Sequence, residues 1–298
     1  MHNIDARSFS ARERWCRRRV GLLSLATLLT ASCVSIPVYE ADVFDARRTV
    51  TPATFAVPGA TLEEVSIPAA DPGVTLSGWW LESDGAEATV LLFGGRDFHL
   101  VHSTGYLELF AQLPVNALLV DYRGYGWSEG EPSLQALTRD ARVLRRYLAQ
   151  EREVSDDRLI VHGHSIGTFP ALTLADGQSV GGVVLENPVT SAQDWGRSFL
   201  PWYTRLFVRL DLEESLRRFD SGARMNRVDE PVFIAAGGQD RVVPASLARS
   251  LYSEVRGEGG ELIVVEGAGH NDLHRFEEYR SGYQRLVRRV EERAGERR

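Results

Sequence analysis

The chain has 298 residues and only two cysteines, Cys16 and Cys33. Both precede the part that has the pattern of a folded domain, so that part has no disulfide and no cysteine-based metal site. Its histidines match none of the zinc signatures. Basic residues are also in deficit, and the formal net charge of −7 argues against a general nucleic-acid binder. A domain without disulfides or cysteine-based metal sites must be stabilised by its hydrophobic core.

The N-terminal region of the chain contains a short apolar run and no long one. Val20–Leu29 follows the positive triplet Arg17–Arg19 and is too short to span a bilayer comfortably, a pattern typical of a signal peptide. It ends in small residues directly before Cys33, which resemble the bacterial lipobox. The sequence therefore predicts a lipoprotein signal peptide over residues 1–33. An ordinary signal peptide and an uncleaved anchor are the alternatives.

The lipobox resemblance implies where the protein resides. Cys33 would become the mature N-terminus and carry a diacylglyceryl group and an N-acyl chain, enough acyl chains for stable anchoring. We expect a lipid-anchored protein of the bacterial cell envelope. Val34, which stands where Asp would direct retention, favours the outer membrane. Residues 34–60 are predicted to be a tether or strap, and residues 61–298 the folded domain.

Strand and helix signals alternate through residues 61–298. Apolar runs without polar alternation, such as Thr89–Phe93, suit parallel strands that are covered on both faces. Leu62–Ile67 and Val74–Leu81 flank a turn cluster and predict an initial antiparallel pair. We expect an α/β fold in which an eight-stranded, mainly parallel sheet carries helices on both faces.

The pentapeptide Gly163–Gly167, G-H-S-I-G, lies between a predicted strand that ends at His162 and a predicted helix, Thr168–Ala175. A serine on such a sharp turn is held in a strained backbone conformation with its hydroxyl accessible. The two glycines avoid a clash at the crossing, and the helix N-terminus favours negative charge nearby. The pattern predicts that Ser165 is a nucleophile.

A serine nucleophile needs a base, and the base needs a carboxylate to orient it. Two further predicted strands end in loops that carry Asp240 and His270. Loops at the carboxyl ends of parallel strands meet at one edge of the sheet. The order Ser165, Asp240, His270 is that of α/β-hydrolases. We therefore predict a Ser-His-Asp triad.

A further motif, Asp121–Gly130, reads D-Y-R-G-Y-G-W-S-E-G. With the three motifs above, it resembles α/β-hydrolase serine hydrolases, in particular a membrane-associated subgroup that deacylates lipids or proteins and has a strand ending in Leu-Glu-Asn, here Leu185–Asn187. The resemblance covers about residues 74–272 and implies the α/β-hydrolase fold without a cofactor. Arg123 and Asp121 are expected to hold the loop and to take no part in the chemistry.

The oxyanion of an acyl-transfer intermediate needs two backbone N–H donors. The resemblance assigns them to Ile166, which follows the nucleophile, and to Arg96, in the loop after the third strand of the domain. Relatives usually have His-Gly in that loop, whereas this chain has Gly94-Gly95.

Residues 188–220 occupy the usual position of a lid in this fold and are expected to form a small helical one. The segment interleaves arginines with aromatic residues, namely Trp195, Phe199, Trp202, Tyr203 and Phe207. The lid aromatics either receive an acyl or other apolar group or merely pack the lid on the sheet. The arginines could contact lipid headgroups.

These motifs predict a serine hydrolase that cleaves carboxylic ester or thioester bonds through an acyl-enzyme. The substrate would be a small molecule or a lipid or other acyl compound. No metal or cofactor is implied, because the chain supplies its own nucleophile. An amidase or peptidase with the same triad remains an alternative. A second alternative is a non-catalytic envelope lipoprotein on a hydrolase scaffold.

Overall fold

The computed structural model describes residues 34–47, 57–205 and 207–296, apart from the side chain of Trp202. The predicted signal peptide, Cys33 and residues 48–56 of the predicted tether lie outside this range. The strands are β1 Val34–Val38, β2 Ala60–Pro68, β3 Thr75–Ser83, β4 Ala88–Phe93, β5 Val115–Val120, β6 Leu159–His164, β7 Gly182–Glu186, β8 Val208–Leu212, β9 Val232–Gly237 and β10 Glu261–Val265. The helices are α1 Thr104–Ala111, α2 Leu134–Glu151, α3 Thr168–Ala175, α4 Ala192–Ser198, α5 Glu214–Arg217, α6 Ser221–Met225, α7 Ala245–Tyr252 and α8 Glu277–Glu296.

In the described part of the chain, eight strands form one sheet in the order β10-β9-β7-β6-β4-β5-β3-β2. The strands from β10 to β5 pair in parallel. β3 is antiparallel to both β2 and β5. This is the eight-stranded, mainly parallel sheet that the sequence predicts, including the initial antiparallel pair.

Two hydrophobic clusters cover the two faces of the sheet. Side chains alternate between them along β4, which is buried throughout. Leu91 and Phe93 join the cluster that contains α2 and α3. Val90 and Leu92 join the cluster that contains α1 and α8. Burial on both faces explains why this strand appears in the sequence as an uninterrupted apolar run.

The parallel strands direct their carboxyl ends to one edge of the sheet. The residues that follow β4, β6, β7, β9 and β10 therefore gather there. Gly94–Asp97, Ser165, Asn187, Asp240 and His270 all lie in these connections. This edge carries the candidate site, as expected for an open parallel sheet.

The tether and the lid contain strands that the sequence analysis did not predict. β1, in the tether, pairs in parallel with β8, in the lid, with Val34 opposite Val208 and Val38 opposite Leu212. The prediction of a helical lid therefore needs correction, since the segment combines α4 and α5 with a strand. β8 alternates exposed and buried residues, a strand signal that was available in the sequence. Its partner lies far away along the chain, and local sequence does not encode such a pairing.

Beyond β1, the tether crosses towards the site-bearing edge. Val43 and Phe44 are buried in the same cluster as α2 and α3. The Asp45 N–H donates to the hydroxyl of Tyr125 at 2.9 Å and lies 3.4 Å from the carbonyl oxygen of Arg96. Part of the predicted tether is thus integrated into the folded unit formed by residues 34–298. None of the helices described here has both the length and the apolar character needed to cross a bilayer.

Candidate active site

Ser165 lies directly after β6, at the sharp turn into α3. Its backbone φ is 55°, in the left-handed region that non-glycine residues rarely adopt. A Cβ atom at Gly163 would lie 2.5 Å from the carbonyl oxygen of Gly167, and one at Gly167 would overlap the carbonyl oxygen of Phe93. Both positions therefore require glycine, and the predicted strand–turn–helix geometry is confirmed.

Asp240 and His270 lie in the loops after the adjacent strands β9 and β10. The Nδ1 atom of His270 lies 2.7 Å from Oδ2 of Asp240. The other carboxylate oxygen of Asp240 accepts the amides of Val242 and Val243 at 2.7 and 2.8 Å. The Asp240 side chain is fully buried, whereas 13% of the His270 side chain is exposed. An ionised carboxylate can only accept hydrogen bonds, so the Nδ1 atom that faces Asp240 is assigned the proton. The Nε2 atom of His270 is then the unprotonated nitrogen, which can accept a hydrogen bond.

His164 connects the serine turn with the His270 loop. Its Nε2 lies 3.0 Å from the carbonyl oxygen of His270, and the two imidazole rings are 4.9 Å apart. Ser165 follows His164 directly and is 4% exposed. The Ser165 hydroxyl makes no hydrogen bond to another described residue. The structure thus joins Asp240 to His270 and connects the His270 loop to the serine turn through His164.

The loop after β4 lies against Ser165. A Cβ atom on Gly95 would be 3.5 Å from Cβ of Ser165 and 3.0 Å from Nδ1 of His164. Two tyrosines of the Asp121–Gly130 motif fix this loop from outside. Tyr122 donates to the carbonyl oxygen of Gly94 at 2.8 Å, and Tyr125 donates to that of Arg96 at 2.6 Å. These tyrosine contacts were not predicted from the sequence.

Arg123 and Asp121 hold the same motif in place, as expected from the sequence. The guanidinium of Arg123 donates to both carboxylate oxygens of Asp140, at 2.6 and 2.7 Å, and also to Asp71. These hydrogen bonds raise the pKa of Arg123. Asp121 accepts the Leu100 amide at 2.9 Å, and burial raises the pKa of its carboxyl group to about 6. Neither side chain contacts Ser165 or His270.

Asn187 joins the two loops that carry Asp240 and His270. Its Oδ1 accepts the amide of Gly237 at 2.8 Å, and its Nδ2 donates to the carbonyl oxygen of His270 at 2.8 Å. The backbone of Asn187 has a φ of 44°, which asparagine tolerates better than most residues. In the sequence this asparagine is only the end of a Leu-Glu-Asn motif, and local sequence does not indicate its role as a bridge.

Comparison with protein families agrees with this geometry. The model described as "Alpha/beta hydrolase family" matches residues 74–229, more than half of the chain. The chain belongs to the α/β-hydrolase family.

Three similar proteins illustrate the relationship. An uncharacterized protein of Mycobacterium tuberculosis strain H37Rv, Rv2307c, is 34% identical over 202 residues, which cover 67% of this chain and 69% of that one. Alpha/beta hydrolase domain-containing protein 17C of Xenopus tropicalis is 31% identical over 198 residues, or 66% of this chain and 60% of that one. The esterase Pf2001 of Pyrococcus furiosus has the same fold, with a TM-score of 0.64 at 22% identity, over 82% of this chain and 99% of that one.

Below the site, this member of the α/β-hydrolase family contains a buried polar cluster centred on Glu186. One oxygen of Glu186 accepts the hydroxyls of Tyr106 and Tyr279, at 3.1 and 2.9 Å. The same oxygen lies 3.3 Å from Nε2 of His162. Burial alone would raise the pKa of Glu186, but hydrogen bonding from His162 and Tyr279 and the nearby histidines outweigh burial and lower it to about 2. The cluster supports the strand ends from beneath.

The pKa of buried His164 predicts how stability depends on pH. Burial lowers this pKa from 6.5 to about 4. The unfolded chain therefore binds more protons between these pH values, so stability is lost as the pH falls through this window. We expect urea unfolding to show that the wild type loses roughly 2 to 3 kcal/mol more than His164→Gln between about pH 7 and about pH 4.5.

Equal losses of stability in His164→Gln and in the wild type would show that His164 does not remain neutral in the folded protein.

The lid residues differ in their surroundings. Trp195 donates its indole N–H to the carbonyl oxygen of Val242 at 2.9 Å and lines an apolar cavity of about 20 Å³ together with Ile166. Phe199, Tyr203 and Phe207 are instead 55%, 60% and 50% exposed. Trp202 has a side chain outside the described part. Of the predicted lid aromatics whose side chains are described, Trp195 alone thus lines this cavity.

No group of three or more described His, Cys, Asp or Glu residues has the arrangement of a metal site. At the candidate site, His270 binds Asp240, and His164 and Asn187 bind the backbone of His270.

Proposed function

We propose that this protein is a serine hydrolase in which Ser165, His270 and Asp240 act together. One observation carries the proposal, namely the 2.7 Å contact between His270 Nδ1 and the buried carboxylate of Asp240, at the sheet edge where Ser165 has a left-handed backbone. A buried carboxylate that orients an imidazole beside a serine turn is the arrangement of a nucleophile–base pair.

The reaction would proceed in two acyl transfers. Ser165 Oγ attacks the carbonyl carbon while His270 Nε2 takes its proton, and the tetrahedral intermediate then expels the leaving group, which receives that proton. Water, activated by the same imidazole, attacks the acyl-serine ester and releases the acid. Asp240 keeps Nδ1 protonated and stabilises the imidazolium formed in each step.

The oxyanion would be held by the N–H groups of Ile166 and Arg96. The proximity of Gly95 to Ser165 supports this assignment, because Arg96 is the next residue in the loop. The Arg96 N–H shares its peptide with the carbonyl of Gly95, which accepts the amide of Phe98 at 3.2 Å. The next peptide is held by Tyr125, which donates to the carbonyl oxygen of Arg96. Preorganised donors of this kind stabilise the charge without reorganisation during the reaction.

Carboxylic esters and thioesters are the substrates that we propose. The lining of the cavity beside Ile166 is apolar and includes Val189, Leu216 and Phe219, which suits an acyl group. Its volume of about 20 Å³ is close to that of a single water site, so the lid must shift before a longer chain can enter. The fold likeness to the esterase Pf2001 is compatible with this chemistry.

We also propose that Cys33 is lipidated and anchors the protein in the cell envelope, with the outer membrane favoured by Val34. Support comes from the lipobox-like residues before Cys33. It also comes from the Asp121–Gly130 and Leu185–Asn187 motifs, which resemble those of the membrane-associated subgroup. The substrate would then be a lipid or an acylated molecule within reach of a membrane.

A substrate panel tests the reaction type. Purified enzyme is assayed with p-nitrophenyl esters of increasing acyl length, acyl thioesters and aminoacyl amides. We expect turnover of esters and thioesters and little turnover of amides. Preferential amide cleavage would replace the esterase assignment with an amidase. No turnover in the whole panel, together with no reaction with a fluorophosphonate, would indicate a binding protein on a hydrolase scaffold.

A further inference from the structure

The exposed hydrophobic residues of this protein are concentrated in one region. Among the described residues, seven large hydrophobic side chains are exposed. We name them together the apolar face: Val34, Ile36, Tyr39, Phe199, Tyr203, Phe207 and Val242. Soluble proteins scatter such residues singly, whereas a gathered set marks a surface that contacts something apolar.

Backbone pairing makes this surface continuous. The amide of Val34 donates to the carbonyl oxygen of Phe207 at 2.8 Å, so the start of β1 lies against the end of the lid turn. The adjoining helix α4 packs on β8, since a Cβ atom on Gly196 would lie 2.6 Å from Leu210. Trp195 then links the set to Val242 through its indole N–H and to Phe199 through a ring contact of 5.5 Å.

β1 is largely exposed among the described residues. Val34, Ser35, Ile36 and Pro37 are all exposed, and Val38 is half-buried against the core. Because side chains alternate along a strand, Val34, Ile36 and Val38 share one face. Pairing with β8 therefore leaves Val34 and Ile36 as exposed apolar surface on that face.

The charges differ between the two parts of the apolar face, since Asp42 and Asp211 lie beside Tyr39 and β1, whereas the lid part is basic and favours an anionic partner. Residues 195–210 contain Arg197, Arg205 and Arg209 and no acidic residue, in a protein whose net charge is −7. A cavity of about 470 Å³ opens in this region and is lined by Arg197, Arg205, Ser198, Ser246, Ser250, Leu247 and Asp194. Aromatic side chains next to arginines are suited to the boundary between lipid headgroups and acyl chains.

The direct connection of β1 to Cys33 indicates which partner the apolar face would meet. Val34 directly follows Cys33, the residue proposed to carry the lipid. No linker separates Cys33 from β1, so an acyl chain on Cys33 would enter the bilayer at the edge of the apolar face. We propose that the apolar face seats on the surface of an anionic bilayer and holds the lid against it; the argument from Cys33 rests on the lipid anchor of the proposed function.

Docking of the apolar face on a bilayer would affect how substrates reach the candidate active site. The lid is the segment that must shift to enlarge the cavity beside Ile166, and it also carries three of the seven residues of the apolar face. A bilayer that holds Phe199 and Phe207 would therefore present the lid opening to lipid-borne substrates. Substrates dissolved in water would reach the site by a longer route.

Depth-dependent fluorescence quenching tests the proposal. The mature lipoprotein with Phe199→Cys is labelled with an environment-sensitive NBD fluorophore and reconstituted in vesicles of phosphatidylethanolamine and phosphatidylglycerol that contain doxyl-labelled lipid. The matched control is Gln284→Cys, an exposed position on α8, which packs on the opposite face of the sheet. We expect quenching about twofold or more stronger at residue 199 than at residue 284.

Equal, weak quenching at both positions would overturn the docking. A blue shift at residue 199 that depends on protein concentration and not on doxyl lipid would also overturn it, and would assign the apolar face to a second copy of the chain. Unchanged thermal unfolding of both labelled variants verifies that they are folded.

The anchor itself is assayed separately by mass spectrometry. A Cys33 thiol that accepts the label would refute lipidation. Cys16→Ser and Cys33→Ser then remove the competing thiols, and the comparison of residues 199 and 284 in this background still decides whether the apolar face contacts lipid.

Discussion

Ser165→Ala is expected to lower kcat for ester hydrolysis by about 10⁴- to 10⁶-fold and to abolish labelling by a fluorophosphonate. The reason is that the hydroxyl at the β6–α3 turn is the group that would form the acyl-enzyme, and alanine cannot replace it. The measurement combines steady-state assays on a p-nitrophenyl ester with gel detection of the labelled protein. The left-handed backbone of residue 165 persists, because Gly163 and Gly167 create the tight crossing.

Ser133→Ala is the matched control for that experiment. Ser133 caps α2 by accepting the amide of Ala136 at 3.0 Å, away from the candidate site. Its loss should cost about 1 kcal/mol of stability and leave the labelling intact. Labelling that survives Ser165→Ala at another residue would refute the nucleophile.

Asp240→Asn should lower kcat by about 10⁴-fold while the protein remains folded. The amide oxygen of asparagine can still accept the N–H groups of Val242 and Val243. Its NH₂ group would then face Nδ1 of His270 and favour the tautomer with the proton on Nε2. That imidazole cannot take the proton of Ser165, so the loss falls on kcat and much less on KM. Kinetics and a thermal unfolding scan measure the two effects.

Asp272→Asn distinguishes this effect from a general loss of a loop carboxylate. Asp272 accepts the amide of Gly269 at 2.7 Å and so holds the same loop as His270, but it has no hydrogen bond to the imidazole. We expect this variant to keep most of the activity. Activity of Asp240→Asn within tenfold of the wild type would mean that another group orients His270.

The losses of activity expected for Ser165→Ala and Asp240→Asn both concern residues in loops that follow strands of the sheet, and these loops are connected to one another. Asn187 connects the loop after β9 with the loop after β10, and His164 connects the latter with the serine turn. Tyr122 and Tyr125 hold the loop after β4 against the same turn. Each loop is thus fixed to a neighbour by side-chain to backbone hydrogen bonds, which keeps the reacting groups oriented before a substrate arrives.

The sequence by itself determined the α/β architecture and the residues of the candidate site. Strands buried on both faces appear as apolar runs, and the serine turn needs glycines at fixed positions, so both are encoded in neighbouring residues. Asp240 and His270 were found because each follows such a strand, and parallel strands bring their ends together. The role of Arg123 in holding its loop was anticipated as well, although its partner Asp140 was not.

Only the tertiary structure decided which distant residues meet. The pairing of β1 with β8 joins segments about 170 residues apart, and neither segment alone specifies the other. The side-chain bridge of Asn187 and the support of the Arg96 loop by Tyr125 likewise depend on contacts between loops. The outward position of Phe199, Tyr203 and Phe207 was also invisible in the sequence, because an aromatic residue is equally compatible with a core and with an exposed face. Local patterns encode the elements and their periodicity, whereas the neighbours of a side chain are fixed only when the elements pack.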